Sequence, residues 1–262
     1  MDGIENRLDR FLSTNDFDGL GLKWGYDSFL YHYSRDTYLS NMQRDLKVTN
    51  LSRNIMNAEL ASGLDYLRRK AFSIDREIWH AALEGLSGEG PELDVSRYWT
   101  FSLCREKRSE FMWNNYSQKG DAGKPCVMEF DGGKIYERIQ AMIAEDLRDG
   151  YLPNGSLHFF LPCFYQPYDD EKIGRLADFI TGGDYYGCLC RRSKGCEVLK
   201  NEDKLILARD LSVMFALMIK GRGNYLDEKE TRLILIGDQS TDGYLRSVGL
   251  GFNPIVSVRH SL

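Results

Sequence analysis

The chain has 262 residues, of which 42% are hydrophobic and 12% aromatic, so it is long enough to bury a core without disulfides or metals. Its net charge of −5 and pI near 5.5 exclude a global electrostatic attraction to nucleic acid or to anionic membranes. The six cysteines follow no regular framework, which fits a reducing compartment.

The first residues of the chain, MDGIENRLDRFLSTND, show no basic stretch followed by an apolar run and therefore predict no secretory signal. The longest apolar stretch, Leu211–Ile219, is about half as long as the roughly 20 residues that a membrane-spanning helix requires. We therefore expect a cytoplasmic protein with no membrane partner.

Hydrophobic periodicity predicts helices and strands in an irregular order. In the first half it predicts a helix over 3–13, strands over 29–33, 46–51 and 98–103, a short helix over 34–44, and two helices over 57–86 with a break near Ser73. In the second half it predicts strands over 125–130, 156–165, 231–236 and 255–258, and helices over 135–147, 173–180 and 201–219. This order favours a single α+β domain over 1–262, because a doubly wound sheet would need strict βαβ alternation.

Residue types that can carry chemistry lie in three separated segments, each at a predicted strand or its edge. They are Tyr31–Ser34, then Phe101-Ser102 with Trp113-x-x-Tyr116, and finally Glu228-x-Glu230-x-Arg232. Each segment also has a structural explanation. Aromatic pairs at helical spacing are common in cores, and an E-x-E-x-R strand is often a salt-bridged exposed edge.

In this order, the segments resemble a bacterial domain-of-unknown-function family with an ADP-ribosyltransferase-like fold. The family shows an LYHYT-like strand, an Asn-Asp-Pro element, an SFS strand followed by MWxxY and a glycine-containing turn into a short strand ending in FD, and a late K…F/Y…ExExR. Here they appear as LYHYS, TFSL with FMWNNYSQKGDAGKPCVMEFD, and Lys220 with YLDEKETRL, within about residues 29–236. Two positions depart from the pattern: Asn57-Ala58-Glu59 lacks the turn carboxylate, and Gly120 and Gly123 stand where one glycine is typical.

The resemblance implies a split mixed sheet surrounded by helices, with NAD as the cofactor and transfer of ADP-ribose to a macromolecule as the reaction. Members of this fold often act as toxins, in toxin-antitoxin pairs or in phage defence, so an antitoxin is an expected partner. On this basis we expect Glu230 and Glu228 to be catalytic, and the cofactor to be contacted by His32, Tyr33, Ser102, Trp113, Tyr116 and Arg232.

The chemistry of such a reaction suits a carboxylate pair. Breaking the bond between nicotinamide and ribose builds an oxocarbenium-like cation, which Glu230 would oppose while Glu228 orients or activates the acceptor. An E-x-E pair at the head of a strand places both side chains on one face, since strand side chains repeat every two residues. Arg232 follows on that face and would keep both carboxylates ionised, and Ser102 would position Glu230 through its hydroxyl.

Several alternatives stay open. A non-catalytic nucleotide-sensing module, an NAD glycohydrolase and a protein that only occupies a partner are compatible with the same residues. A protein acceptor needs no basic surface, whereas RNA or DNA would need a local patch such as Arg105–Arg108 or Arg191–Lys194, and either run also fits a solvated charged face. Cys188-x-Cys190 lacks the usual zinc-ligand spacing, so we predict no metal, and no Walker, G-x-G-x-x-G, H-E-x-x-H or G-x-S-x-G motif occurs.

Overall fold

The structure is a computed structural model that describes residues 16–17, 22–23, 29–42, 46–51, 53–86, 97–119, 122–149, 151, 155–183, 185–191, 198–221, 224–237, 247–249 and 251–262. The helix predicted over 3–13 lies outside these residues. Within them an antiparallel sheet is flanked by helices, which confirms the predicted α+β class. None of the described helices is long and apolar enough to cross a membrane.

The described strands follow most of the predicted ones. They are β1 Asp16–Phe17, β2 Leu22–Lys23, β3 Phe29–Arg35, β4 Lys47–Asn50, β5 Tyr98–Cys104, β6 Pro125–Asp131, β7 Leu157–Pro162, β8 Phe164–Tyr165, β9 Ile219–Lys220, β10 Glu230–Ile236, β11 Ser247–Gly249 and β12 Ile255–Arg259. The predicted interruption at Pro162 is confirmed, since β7 ends there and β8 leaves to pair with β9 in a separate small sheet.

The described helices are also close to the predicted ones, including the two helices on either side of Ser73. The α-helices are Leu39–Met42, Arg53–Arg68, Arg76–Glu84, Glu110–Met112, Gly132–Asp149, Asp170–Thr181, Tyr186–Leu189 and Asn201–Met218. Two 3-10 helices, Asp36–Tyr38 and Asn224–Glu228, and a π-helical turn, Trp113–Ser117, complete the described helical segments.

The large sheet forks at β5. One edge of β5 pairs with β10 from Tyr98 to Cys104, and β10 pairs in turn with β7. The other edge is shared by two strands, because β4 pairs with Trp99 and Thr100 whereas β3 pairs with Cys104. Beyond the fork, β4 continues to β11, and β3 continues to β6 and β12.

Every described pairing in this forked sheet is antiparallel, so the expectation of mixed strand directions is wrong for these strands. Side-chain alternation reports which residues of a strand share a face, but not which strands become neighbours. Strand direction depends on that choice of neighbour. The parallel pair that the structure does describe, β8 with β9, belongs to the small sheet.

The two faces of the sheet are covered by different elements. All of β10 is buried; Ile234 and Ile236 point into a cluster with the helices Arg53–Arg68, Arg76–Glu84, Asp170–Thr181 and Asn201–Met218. Leu233 and Leu235 point to the other face, where the helix Gly132–Asp149 packs. A strand that is apolar on both faces is typical of the centre of a layered fold.

The helix Asn201–Met218 is the central helix of the first face and is buried from Asp210 to its end. The Asp210 carboxylate accepts hydrogen bonds from Arg97, Tyr98 and Tyr151, each at 2.9 Å. These partners compensate its desolvation and fix the helix to the start of β5. The helix then runs directly into β9, which carries Lys220.

Candidate functional site

The two glutamates of the E-x-E segment do not lie on one strand. Glu228 ends the 3-10 helix Asn224–Glu228, and β10 begins only at Glu230. Lys229 between them has a positive φ of 41°, so strand alternation does not apply there. The expected geometry is therefore wrong, yet both carboxylates meet at one cation: Lys220 Nζ lies 3.3 Å from Glu228 Oε2 and 2.8 Å from Glu230 Oε2.

Lys220 is the residue that joins the two glutamates, and it was not among the predicted site residues. It is only 7% exposed and follows the buried end of the helix Asn201–Met218. A sequence signal exists, because a lysine directly after the apolar run Leu211–Ile219 must either turn outward or find an anion. Here it finds two.

Glu230 is held on all sides by donors. Its Oε1 accepts from Arg232 Nε at 2.8 Å and lies 2.7 Å from Arg232 Nη2, while Oε2 contacts Lys220. The Ser102 hydroxyl also hydrogen-bonds to this carboxylate, and Arg232 Nη1 donates to the carbonyl of Leu217. Burial favours the neutral acid, but the charges of Arg232 and Lys220 outweigh it and hold the pKa of Glu230 at about 2.

The backbone of Glu230 is fixed as well. Its N–H donates to the hydroxyl of Tyr165 at 2.8 Å, and its carbonyl accepts from the N–H of Cys163 at 2.9 Å. Both partners come from the segment where β7 gives way to β8. The start of β10 therefore has little freedom to move.

Glu228 is as buried as Glu230, at 4% exposure, but one of its partners reaches the surface. Its Oε1 accepts a hydrogen bond of 2.7 Å from the hydroxyl of Tyr116, whose side chain is 45% exposed. Leu226, two residues earlier, is 41% exposed. We call Glu228, Lys220, Glu230 and Arg232 the charge cluster. It contains two anions and two cations, and it approaches solvent at Tyr116.

Tyr116 is carried by a short helical segment, residues 109–118, which we call the Tyr116 turn. Ser109 caps its start by accepting from the N–H of Met112, and the turn widens into a π-helix where Gln118 N–H donates to the carbonyl of Trp113. Such wide turns are frequently found at functional sites. Trp113 packs on the buried patch that contains Tyr31, so it lines the core side of the turn.

Two side chains of β3 hold the Tyr116 turn at its ends. Tyr33 donates to the carbonyl of Glu106 at 2.8 Å and accepts from the N–H of Ser109 at 2.9 Å. Burial raises the pKa of Tyr33 to about 12. Arg35 donates to carbonyls at the other end, those of Ser117, Ala122 and Gly123. Tyr33, predicted to contact the cofactor, instead contacts the backbone of the turn.

His32, predicted to contact the cofactor together with Glu230, lies on the opposite face of the sheet from Glu230, so the expectation that the two residues meet at one site is wrong. Strand register puts Tyr31, Cys104 and Glu230 on one face, and His32 stacks on Phe101 on the other, with a centroid distance of 4.7 Å. Its Nδ1 is 3.0 Å from the carbonyl oxygen of Ser102, so Nδ1 carries the proton. Burial lowers the pKa of His32, and the hydrogen bond to Ser102 opposes that effect.

Ser102 thus connects the two faces at the fork of the sheet. Its carbonyl holds the imidazole of His32, and its hydroxyl holds Glu230. Of the predicted residues, the structure brings Ser102, Tyr116, Glu228, Glu230 and Arg232 into one contacting group.

Comparison with known proteins does not assign the chain to a family. No family model, curated protein or solved structure matches the chain. The resemblance drawn from the motifs therefore stays a prediction. Within the described part of the chain, no group of three or more His, Cys, Asp or Glu side chains could hold a metal ion, and Cys196 of the cysteine-rich segment lies outside that part.

The chemistry open to this arrangement follows from its charges. Glu230 stays ionised across the usual pH range. Glu228 forms an ion pair with Lys220 and accepts a hydrogen bond from the hydroxyl of Tyr116. A carboxylate fixed in this way can accept a hydrogen bond from a substrate hydroxyl and oppose a positive charge that develops nearby. Glu230, whose pKa is held at about 2, is poorly suited to donate a proton.

Proposed function

We propose that the chain cleaves the nicotinamide–ribose bond of NAD⁺ and transfers ADP-ribose to a macromolecule, with Glu228 as the carboxylate that contacts the substrate. One observation supports this proposal above the others: the charge cluster is a chain of alternating anions and cations that ends beside the exposed ring of Tyr116. A fixed negative charge that lies one hydrogen bond away from an exposed side chain can oppose the charge of an oxocarbenium-like transition state.

Glu230 takes a positioning role in this proposal. Both of its oxygens are occupied by the cations Arg232 and Lys220. Burial does not separate the two glutamates, because Glu228 and Glu230 are each 4% exposed. Glu228 shares Lys220 but has Tyr116 as its other partner. A tyrosine at the surface can yield its place on Glu228 to a substrate hydroxyl at much lower cost than a buried arginine can leave Glu230.

The reaction step balances without a metal or a redox partner. The bond between ribose C1′ and the nicotinamide nitrogen breaks, its electron pair leaves with nicotinamide, and nicotinamide departs neutral. The acceptor's oxygen or nitrogen then bonds to C1′ and loses its proton to solvent. Glu228 holds a ribose hydroxyl and opposes the charge on the ring, while Tyr116 and Leu226 offer apolar surface for the nicotinamide ring.

The fold assignment and the biological role belong to the same proposal. A sheet that forks at β5, with Ser102 at the fork and Glu230 on the neighbouring strand, is compatible with an ADP-ribosyltransferase-like fold. Enzymes of that fold commonly act as toxins or in phage defence, so we propose a cytoplasmic role in conflict with a host or a phage. Expression in a bacterial host tests that role: the parent should stop growth and Glu228→Gln should not.

Labelled NAD⁺ tests the reaction itself. The protein is incubated with NAD⁺ labelled in the adenylate part and with a bacterial lysate, and label in protein and nucleic acid is counted separately. The parent should label one fraction, Glu228→Gln should not, and Glu77→Gln, which alters an exposed helix residue, should behave as the parent. Labelling by Glu228→Gln at the parent rate contradicts the proposed role of Glu228.

A second candidate is a nucleotide-sensing module that binds NAD⁺ without cleaving it. The observation that favours it is that both oxygens of Glu230 are paired, one with Arg232 and one with Lys220. Buried ion pairs of this kind also occur where the role is purely structural. Calorimetry of NAD⁺ binding, together with an assay of nicotinamide release, separates this module from an enzyme. Saturable binding of NAD⁺ with no release of nicotinamide supports the module, whereas nicotinamide and free ADP-ribose in equal amounts, without label in any acceptor, indicate a glycohydrolase.

A further inference from the structure

A basic loop, residues 105–108, lies between β5 and the Tyr116 turn. Arg105, Lys107 and Arg108 are all exposed, in a chain whose net charge is −5. Like charges so close together repel one another unless anions lie nearby. The surroundings of the loop therefore decide whether it is an ordinary solvated surface.

The fold adds cations to the loop and neutralises its acid. Arg259, from β12 near the end of the chain, donates through Nη2 to the carbonyl of Lys107 at 3.2 Å. Glu106, the acid within the loop, forms an ion pair with Lys229. The other acid at this place, Glu129, is largely buried, and Lys107 lies 3.6 Å from it. Cations from three parts of the chain thus meet at this loop, and two of them, Lys229 and Lys107, form ion pairs with Glu106 and Glu129.

This basic surface adjoins the charge cluster. The backbone N–H and the Nε of Arg105 both donate to the carbonyl of Lys229, at 3.0 and 3.2 Å, and Lys229 stands between the two glutamates of the site. At its other end the loop continues directly into the Tyr116 turn. Two exposed acids, Glu110 and Asp227, are the chain neighbours of Ser109 and Glu228.

We propose that this surface, Arg105, Lys107, Arg108 and Arg259, binds the phosphate backbone of a single-stranded nucleic acid. Proteins that bind single strands combine a basic track with an exposed aromatic ring on which a base stacks, and Tyr116, 45% exposed, is carried by the turn that directly follows the basic loop. An acidic peptide would use the cations but not the ring. That the bound strand is the acceptor of ADP-ribose rests on the proposed function; the binding itself does not.

Fluorescence anisotropy with a short labelled single-stranded RNA, and with the DNA of the same sequence, tests the binding in the absence of NAD⁺. The test variant is Lys107→Gln with Arg108→Gln. The matched control is Arg76→Gln with Lys200→Gln, which removes the same charges from exposed positions on other elements. We expect the parent and the control to bind alike and the test variant to bind about tenfold or more weakly. The negative slope of log K against log salt should be less steep in the test variant, by about 1.4.

Three results would overturn the proposal. These are no saturable binding to either strand, equal weakening in the test variant and its control, and tighter binding of poly-glutamate than of the oligonucleotide. Tyr116→Ala, assayed in the same way, should weaken binding to the strand but not to poly-glutamate. Because no NAD⁺ is present, loss of binding in the test variant supports the surface even if the protein never cleaves NAD⁺, and cleavage without binding refutes the surface alone.

Discussion

Glu230 keeps its charge at a position from which water is almost excluded. A buried carboxylate is tolerated only where partners replace its hydration, and Arg232 and Lys220 do so from two sides. The charges of the cluster also cancel, because Glu228 is the second anion beside the two cations and pairs with Lys220. Removing a single member therefore leaves an uncompensated charge rather than a small gap.

The first prediction concerns the stability of Glu230→Gln. This change leaves Lys220 and Arg232 with one anion between them, and we expect the free energy of unfolding to fall by about 3–5 kcal/mol. Urea unfolding at neutral pH measures it. The exposed Glu77→Gln serves as the control, with an expected change within about 0.5 kcal/mol. A loss below about 1 kcal/mol for Glu230→Gln would show that the cluster is not what holds β10 in place.

The parent, which keeps the Glu230 carboxyl, has a pH dependence of stability that Glu230→Gln lacks, and its sign follows from linkage. The pKa of Glu230 lies at about 2 in the folded chain against 4.5 for a free carboxyl, so its contribution is complete above 4.5 and is lost as pH falls towards 2. The whole shift is worth about 3 kcal/mol. Between pH 5 and pH 3 the parent should therefore lose stability faster than Glu230→Gln, and parallel curves would argue against an ionised Glu230.

At the scale of elements, the fork of the sheet makes β3 the support of the site. Its alternate residues Tyr33 and Arg35 hold the two ends of the Tyr116 turn, and its His32 holds the free edge of β5 at Ser102. None of these three side chains touches the charge cluster through a described contact. The influence of Tyr33 and Arg35 on Glu228 therefore runs through the position of Tyr116, whereas that of His32 runs through Ser102 to Glu230.

Amide hydrogen exchange tests this support. In Arg35→Ala the carbonyls of Ser117, Ala122 and Gly123 lose their donor, and we expect amides over 113–118 to exchange about tenfold faster, as the loss of one to two net hydrogen bonds implies. Amides of β10 should keep the protection of the parent. Arg69→Ala, which removes a hydrogen bond within a single helix, is the control. Equal acceleration in β10 would mean global destabilisation and would contradict a local role.

At the scale of the whole molecule, the sequence predicts elements much better than it predicts their neighbours. The apolar and aromatic runs TRLILI and YWTFSL mark β10 and β5, because each contains enough β-prone residues in a row to exclude a loop. Nothing in those runs states that β10 pairs with β5 on one side and β7 on the other. The fork at Thr100 and Cys104 is a tertiary choice that periodicity does not encode.

The site divides in the same way. Glu230 and Arg232 are two residues apart on a real strand, so their shared face could be predicted. Glu228 could not be placed by that rule, because the positive φ of Lys229 breaks the alternation. Lys220 is separated from Glu228 and Glu230 in the chain by a segment that contains the 3-10 helix Asn224–Glu228. Only the folded chain brings the three charges together.

Steady-state release of nicotinamide from NAD⁺ by purified protein tests the central claim most directly. We predict that the parent and Glu77→Gln release nicotinamide at the same rate, and that Glu228→Gln, assayed well below its own Tm, lowers kcat by about 10²–10³. Release by Glu228→Gln at the parent rate, or no release by the parent, would contradict the account.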